Sequence, residues 1–145
     1  MPELSSPSRS AVAHDHMQIA ILESDLRALD SALETLSSAG HICFGVVSDQ
    51  SLHELLGQVS IDLVILDWVV PDLVRYDTLR YLSKYRSATP IILSVTPRTS
   101  ENVIASGLQG GAKICLDKPL STSESLAHIR ALEPQRSSCA SCATS

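Results

Sequence analysis

Five short, apolar, mostly β-branched runs alternate with amphipathic stretches, and this leaves the chain few ways to fold. They are "QIAIL" (18–22), "ICFGVV" (42–47), "DLVIL" (62–66), "PIILSV" (90–95) and "KICL" (113–116). Their apolarity is near-continuous rather than alternating, the pattern of strands covered on both faces. Helical patterns lie between them. Leu26, Leu29, Leu33 and Leu36 fall on one stripe, and Gly40 supplies a stop signal. Asp49 is the expected cap of a helix carrying Leu52, Leu55, Leu56 and Val59. Leu79 and Leu82, with Tyr76 and Tyr85 nearby, give a third helix. Val103, Ile104 and Leu108 give a fourth that ends at Gly110-Gly111, and Leu126, Ile129 and Leu132 give a fifth. Strict βα alternation predicts an α/β fold: a doubly wound, five-stranded parallel sheet with right-handed crossovers and helices on both faces.

A chain of 145 residues is one domain's worth of sequence. The folded unit is expected over 17–133, with a disordered, Ser- and Pro-rich extension over 1–16 and a flexible tail over 134–145. His14 and His16 read as part of the polar leader. A net charge of −5 with no Lys/Arg block argues against a face for direct nucleic-acid binding. No apolar stretch approaches the roughly 18 residues needed to cross a bilayer. With no apolar signal segment at the N-terminus, the sequence reads as cytoplasmic. Cys43 and Cys115 sit in apolar runs and read as buried small hydrophobes. Cys139 and Cys142 form a C-x-x-C that no second pair completes into a zinc site, so they read as part of the tail.

In such a sheet the chemistry sits at the C-terminal strand ends. The first strand ends in Glu23-Ser24-Asp25, the third in Asp67, the fourth in Thr96 (with Ser94 on the same strand face), and the fifth in Asp117-Lys118-Pro119. Singly, each has an ordinary role: Glu23 or Asp25 as a helix cap, Thr96 as a strand residue, Lys118 as a solvated charge. Together, two acids, a hydroxyl and an ammonium suit an oxyanion held beside a divalent cation. An Asp carboxylate can also carry a phosphoryl group as an acyl phosphate.

With these residues in place, the chain from about Met17 to Leu132 resembles the receiver domain of two-component response regulators, the CheY-like family. "DLVILDWVVPD" resembles the phosphoacceptor strand and loop, with Asp67 as acceptor and Pro71 four places later. "GGAKICLDKPL" resembles the segment ending in the family's Lys-Pro, which gives Lys118 its role and makes 118–119 a candidate cis bond. Counting back from Lys118 reaches Thr96 as the family's hydroxyl; Ser94 is the alternative. The resemblance implies strand order 2-1-3-4-5 and phosphoryl transfer from a kinase's phosphohistidine to Asp67, assisted by Mg2+. Glu23 would hold a metal-bound water, and Asp67 and the Val69 backbone carbonyl would be direct ligands. Lys118 and Thr96 would contact the phosphoryl oxygens. Partners implied are a sensor histidine kinase or phosphotransfer protein and a downstream effector protein, with a homodimer as a further possibility. The chain would be a signalling module rather than an enzyme.

Six positions depart from the family pattern. Ser24 stands where a direct acidic metal ligand belongs, and Asp25 points away in that pattern. Val74 and Arg75 replace Asp-Gly, Pro97 follows Thr96 where a small residue is typical, and Cys115 replaces the switch aromatic. Lys113 replaces an acid common in regulators that dimerise. The alternative reading is a pseudo-receiver, a protein-interaction module without a phosphorylation switch. A flavodoxin-like enzyme is disfavoured, because no Gly-rich loop follows a strand and no base pairs with a nucleophile.

Overall fold

The computed structural model describes residues 17–71 and 73–134; the expectations for the extension 1–16, His14, His16, Cys139 and Cys142 lie outside the described residues. In chain order the elements are β1 (Gln18–Leu22), α1 (Leu26–Ser38), β2 (Ile42–Val46), α2 (Asp49–Gln58), β3 (Leu63–Asp67), β4 (Val69–Val70), β5 (Leu73–Val74), α3 (Tyr76–Tyr85), β6 (Ile91–Val95), α4 (Glu101–Gln109), β7 (Ile114–Asp117) and α5 (Ser123–Arg130). The five expected strands form one parallel sheet in the order β2-β1-β3-β6-β7, the expected 2-1-3-4-5 arrangement.

Why the runs are continuously apolar is visible in the core. Ala20, Leu22, Val64, Leu66, Leu93 and Val95 face one cluster with Leu52 and Leu56 of α2 and Leu79 and Leu82 of α3. The intervening Ile19, Ile21, Leu63, Ile65 and Ile92 face a second cluster with Leu29 and Leu36 of α1 and Ile129 of α5. Period-two alternation therefore feeds apolar side chains to both faces at once.

Several local expectations need correction. The helix α2 is capped by Ser48, whose Oγ accepts the Ser51 N–H at 3.1 Å; Asp49 is the first helical residue, and its carboxylate is engaged elsewhere. Leu26 is 68% exposed in the first turn of α1, so Leu29, Leu33 and Leu36 carry the stripe. Cys43 and Cys115 are only half-buried, because β2 and β7 are the edge strands. Three strands begin one residue later than their apolar runs. At one of these starts the Asp62 carboxylate accepts the Gln18 N–H at 2.9 Å; at another Pro90 has no N–H to give a ladder. Strict alternation is also broken: β4 and β5 form an antiparallel hairpin inside the third unit.

Two glycines matter to this arrangement. Gly40, just past the end of α1, has φ +99°, a conformation that favours glycine. Gly107 lets α4 lie close over the sheet, since a β-carbon there would collide with Leu93 and Trp68.

Candidate active site

The central strand β3 delivers Asp67 to the C-terminal edge of the sheet, where its side chain is 4% exposed. Next to it, the Glu23 N–H donates to the Val46 carbonyl at 3.1 Å, which holds the end of β1 in the ladder and buries the Glu23 side chain. On the other side the Lys118 N–H donates to the Val95 carbonyl at 2.8 Å, and the Lys118–Pro119 peptide is cis. These three backbone positions converge on one contact. Lys118 Nζ lies 2.7 Å from Asp67 Oδ1 and 2.8 Å from Glu23 Oε1. Glu23 Oε2 accepts the Asp25 N–H at 3.1 Å.

One ammonium thus bridges two buried carboxylates. Burial pushes the Asp67 carboxyl up to about 6; Lys118 pulls it down and Glu23 pushes it further up. For Lys118, burial works to lower the value, but hydrogen bonds to both carboxylates hold it above the ordinary lysine value. Since the folded value of Asp67 lies above the ordinary 3.8, the folded state binds more protons than the unfolded one between those values. The contribution of Asp67 to stability is therefore greatest below about pH 4 and declines as pH rises through about 6. A carboxyl NMR titration should place its midpoint near 6 in the absence of metal; a midpoint near the ordinary value would contradict a desolvated Asp67.

Glu23, Ser24, Asp67, Val69, Thr96 and Lys118 all line one open hollow of about 520 Å³, together with Asp25, Val70 and Pro71. Thr96 is exposed at its edge, with its hydroxyl 3.3 Å from that of Thr99. Ser94, the alternative hydroxyl, is the register partner of Asp67 and is 4% exposed, but it does not line this hollow. The Asp25 carboxylate caps α1, accepting the N–H groups of Arg27 and Ala28.

The hairpin that follows Asp67 is held from below by Arg75, which the sequence marks only as a departure from the family loop. Its side chain is 6% exposed; Nε donates to the Asp67 carbonyl at 2.8 Å and Nη1 to Asp49 Oδ1 at 3.1 Å. The Thr78 hydroxyl donates to the same Asp49 oxygen. Nothing in the local pattern announces this, because the partner Asp49 is 26 residues away. The Arg75 N–H donates to the Trp68 carbonyl at 3.1 Å, which makes Trp68 and Arg75 a hydrogen-bonded pair. By the alternation of antiparallel ladders, Val69 and Val74 are the non-bonded pair, and the Val69 carbonyl stays outside the ladder. Trp68 anchors the turn: it is fully buried, and its Nε1 donates to the Val103 carbonyl at 2.9 Å.

The donor set suits Mg2+, which prefers a few carboxylate or carbonyl oxygens and keeps several waters. Glu23, Asp67 and a spare carbonyl border the hollow; the third carboxylate, Asp25, is engaged as a helix cap, and Ser24 adds only a neutral hydroxyl. Among the described residues no three His, Cys, Asp or Glu side chains cluster as a ready metal site. The fit is therefore to a cation that brings its own water.

The family model described as response regulator receiver domain matches residues 19–130. The chain is 31% identical over 116 residues to the probable transcriptional regulatory protein SilR of Salmonella typhimurium, covering 80% of this chain and 50% of that protein. It is 33% identical over 119 residues to the transcriptional regulatory protein PmrA of Pectobacterium parmentieri, covering 80% and 52%. The chain spans about half the length of the curated relatives it matches. Among solved structures, the receiver domain of the Francisella response regulator 1452 has a TM-score of 0.70 at 21% identity, covering 81% of this chain and 96% of that one. The BeF3-activated DrrB receiver domain has a TM-score of 0.68 at 21% identity, covering 81% and 97%. At these identities the structural likeness speaks for the fold, and the family match speaks for kinship. The chain belongs to the response regulator receiver domain family, the signalling modules of two-component systems.

Proposed function

We propose that this receiver domain accepts a phosphoryl group on Asp67 from the phosphohistidine of a sensor histidine kinase or phosphotransfer protein. The observation that carries the reading is a buried carboxylate at the end of the central strand, open to a hollow, with an ammonium 2.7 Å away. The ionised Asp67 attacks phosphorus, the P–N bond to the donor imidazole breaks, and an acyl phosphate forms. Lys118 moves its charge from the carboxylates to the phosphoryl oxygens. The Thr96 hydroxyl turns from Thr99 to donate a hydrogen bond to the same group. Glu23, through a water, with Asp67 and the Val69 carbonyl would hold Mg2+, which when bound supplies positive charge to the phosphoryl oxygens. Acting as a signalling module in the cytoplasm, the domain passes its state to an effector partner or a second copy of itself. Among the described residues no helix is long and apolar enough to cross a membrane.

Incubation with phosphoramidate and Mg2+ should add one phosphoryl group by intact mass to the wild type and none to Asp67→Asn. A second reading, an interaction module that needs no phosphorylation, draws on the neutral Ser24 and on Lys118 already spanning both carboxylates. An unmodified wild type would favour it. Replacing Ser24 by Asp adds one carboxylate to the rim of the hollow and should tighten Mg2+ binding about tenfold by calorimetry. Unchanged affinity would place residue 24 outside the metal site.

A further inference from the structure

A second cavity, of about 320 Å³, lies behind the Glu23–Lys118 pair, between α1 and the sheet. Its floor is Ile21 and Ile65, and its roof is Ala28, Ser31 and Ala32 of α1. Elsewhere under α1 the bulky Leu29 and Leu36 fill this space, as close-packed interiors require. The three small residues leave it open. Size and apolar walls match a small-molecule site.

Ser94 and Glu23 give the cavity its polar points. Ser94 alternates with Ile92 onto the apolar face, lines the cavity and is 4% exposed. Its hydroxyl puts one polar group on an otherwise apolar wall, where it can bond a polar edge of a ligand. Glu23, 5% exposed, forms the polar end. Each of its oxygens accepts one bond, from Lys118 and from the Asp25 N–H, and a carboxylate can accept about four. Two carboxylates against one ammonium leave this end with one net negative charge when Asp67 is ionised. A cation is attracted there and an anion repelled.

We infer that this cavity binds a small, mostly apolar molecule bearing a single amine, no larger than a bicyclic aromatic amine. The apolar body lies between Ile65 and the small face of α1, the amine donates to Glu23, and Ser94 bonds a polar edge of the ring. Such a ligand would compete with Lys118 for Glu23 and so couple a small-molecule signal to the Asp67 centre. Binding itself requires neither Mg2+ nor phosphorylation, so its test is separate from that of the proposed function.

Tryptamine is a suitable probe and indole-3-acetate its charge-reversed control, each titrated into nitrogen-15-labelled protein without metal or phosphodonor. Tryptamine should shift the amides of Ala28, Ser31, Ala32 and Ser94 with a dissociation constant on the order of 1 mM. Indole-3-acetate should leave them in place. Ala32→Leu, which fills the cavity, should weaken tryptamine binding by about tenfold or more with the remaining spectrum unchanged. Ser94→Ala, a smaller change on the opposite wall, should also weaken it and serves if Ala32→Leu disturbs the fold. Absent shifts, shifts confined to residues outside the cavity, equal binding of indole-3-acetate, or full binding by the filled variant would each overturn the assignment.

Discussion

Lys118→Met should destabilise the domain by about 3 kcal/mol at pH 7, more than a typical single substitution. The reason is what stays behind: Asp67 and Glu23, 3% and 5% exposed, lose the ammonium that bridges them. Lys118 is itself partly exposed, so water softens the loss, and the low end of the range for a broken buried pair applies. Asp67→Asn alone should be stabilising by about 1 kcal/mol, because it removes a charge that burial disfavours. In the Lys118→Met background the same change should recover more, roughly 2 kcal/mol, since it relieves a pair of unneutralised carboxylates. Urea unfolding of the two single variants and the double variant would measure that coupling. The Lys118→Met penalty should also shrink at pH 5, where Asp67, with its value near 6, is mostly protonated. Additive effects with no pH dependence would mean that the three side chains do not form one electrostatic unit.

Arg75→Ala should cost about 2 kcal/mol, in the range for lost hydrogen bonds of a charged donor. The guanidinium ties the Asp67 carbonyl to Asp49 and closes the base of the hairpin. Asp49 is half-exposed and regains water, so the full penalty of an orphaned buried charge does not arise. Arg75→Lys should not rescue, because a single ammonium lacks the planar fork that reaches the carbonyl and the carboxylate together. A loosened hairpin also frees the Val69 carbonyl to wander, so Mg2+ affinity should fall in the same variants. Unchanged stability, followed by urea unfolding, would reduce Arg75 to a filler of the loop.

The sheet was legible because apolar side chains must cover both faces of its strands, and Ile19 to Leu22 and Leu63 to Leu66 carry that demand without interruption. Asp67 and Lys118 were legible because a charge ending such a run has few places to go except the open edge. What stayed hidden depends on contacts distant in sequence or on elements too short to carry a period. The hairpin of Val69–Val70 with Leu73–Val74 has two residues a side, and its Arg75 finds Asp49 only after α2 and β3 are laid down. Ser48 and Asp49 are both good caps, and the choice falls to Ser48 because Asp49 is drawn to Arg75 and Thr78. The ambiguity between Ser94 and Thr96 is likewise one of register. With β6 ending at Val95, Thr96 comes out at the hollow and Ser94 turns under α1.

The role proposed for Asp67 is to take the phosphoryl group. It is tested most directly by treating the wild-type protein with phosphoramidate and Mg2+, reducing the product with borohydride, and sequencing the peptides by mass spectrometry. An acyl phosphate on Asp67 is reduced to homoserine, so homoserine is expected at position 67 and a reduced side chain at no other acidic residue. Homoserine at Asp25, 5-hydroxynorvaline (the reduced glutamyl phosphate) at Glu23, or an unaltered Asp67, would contradict it.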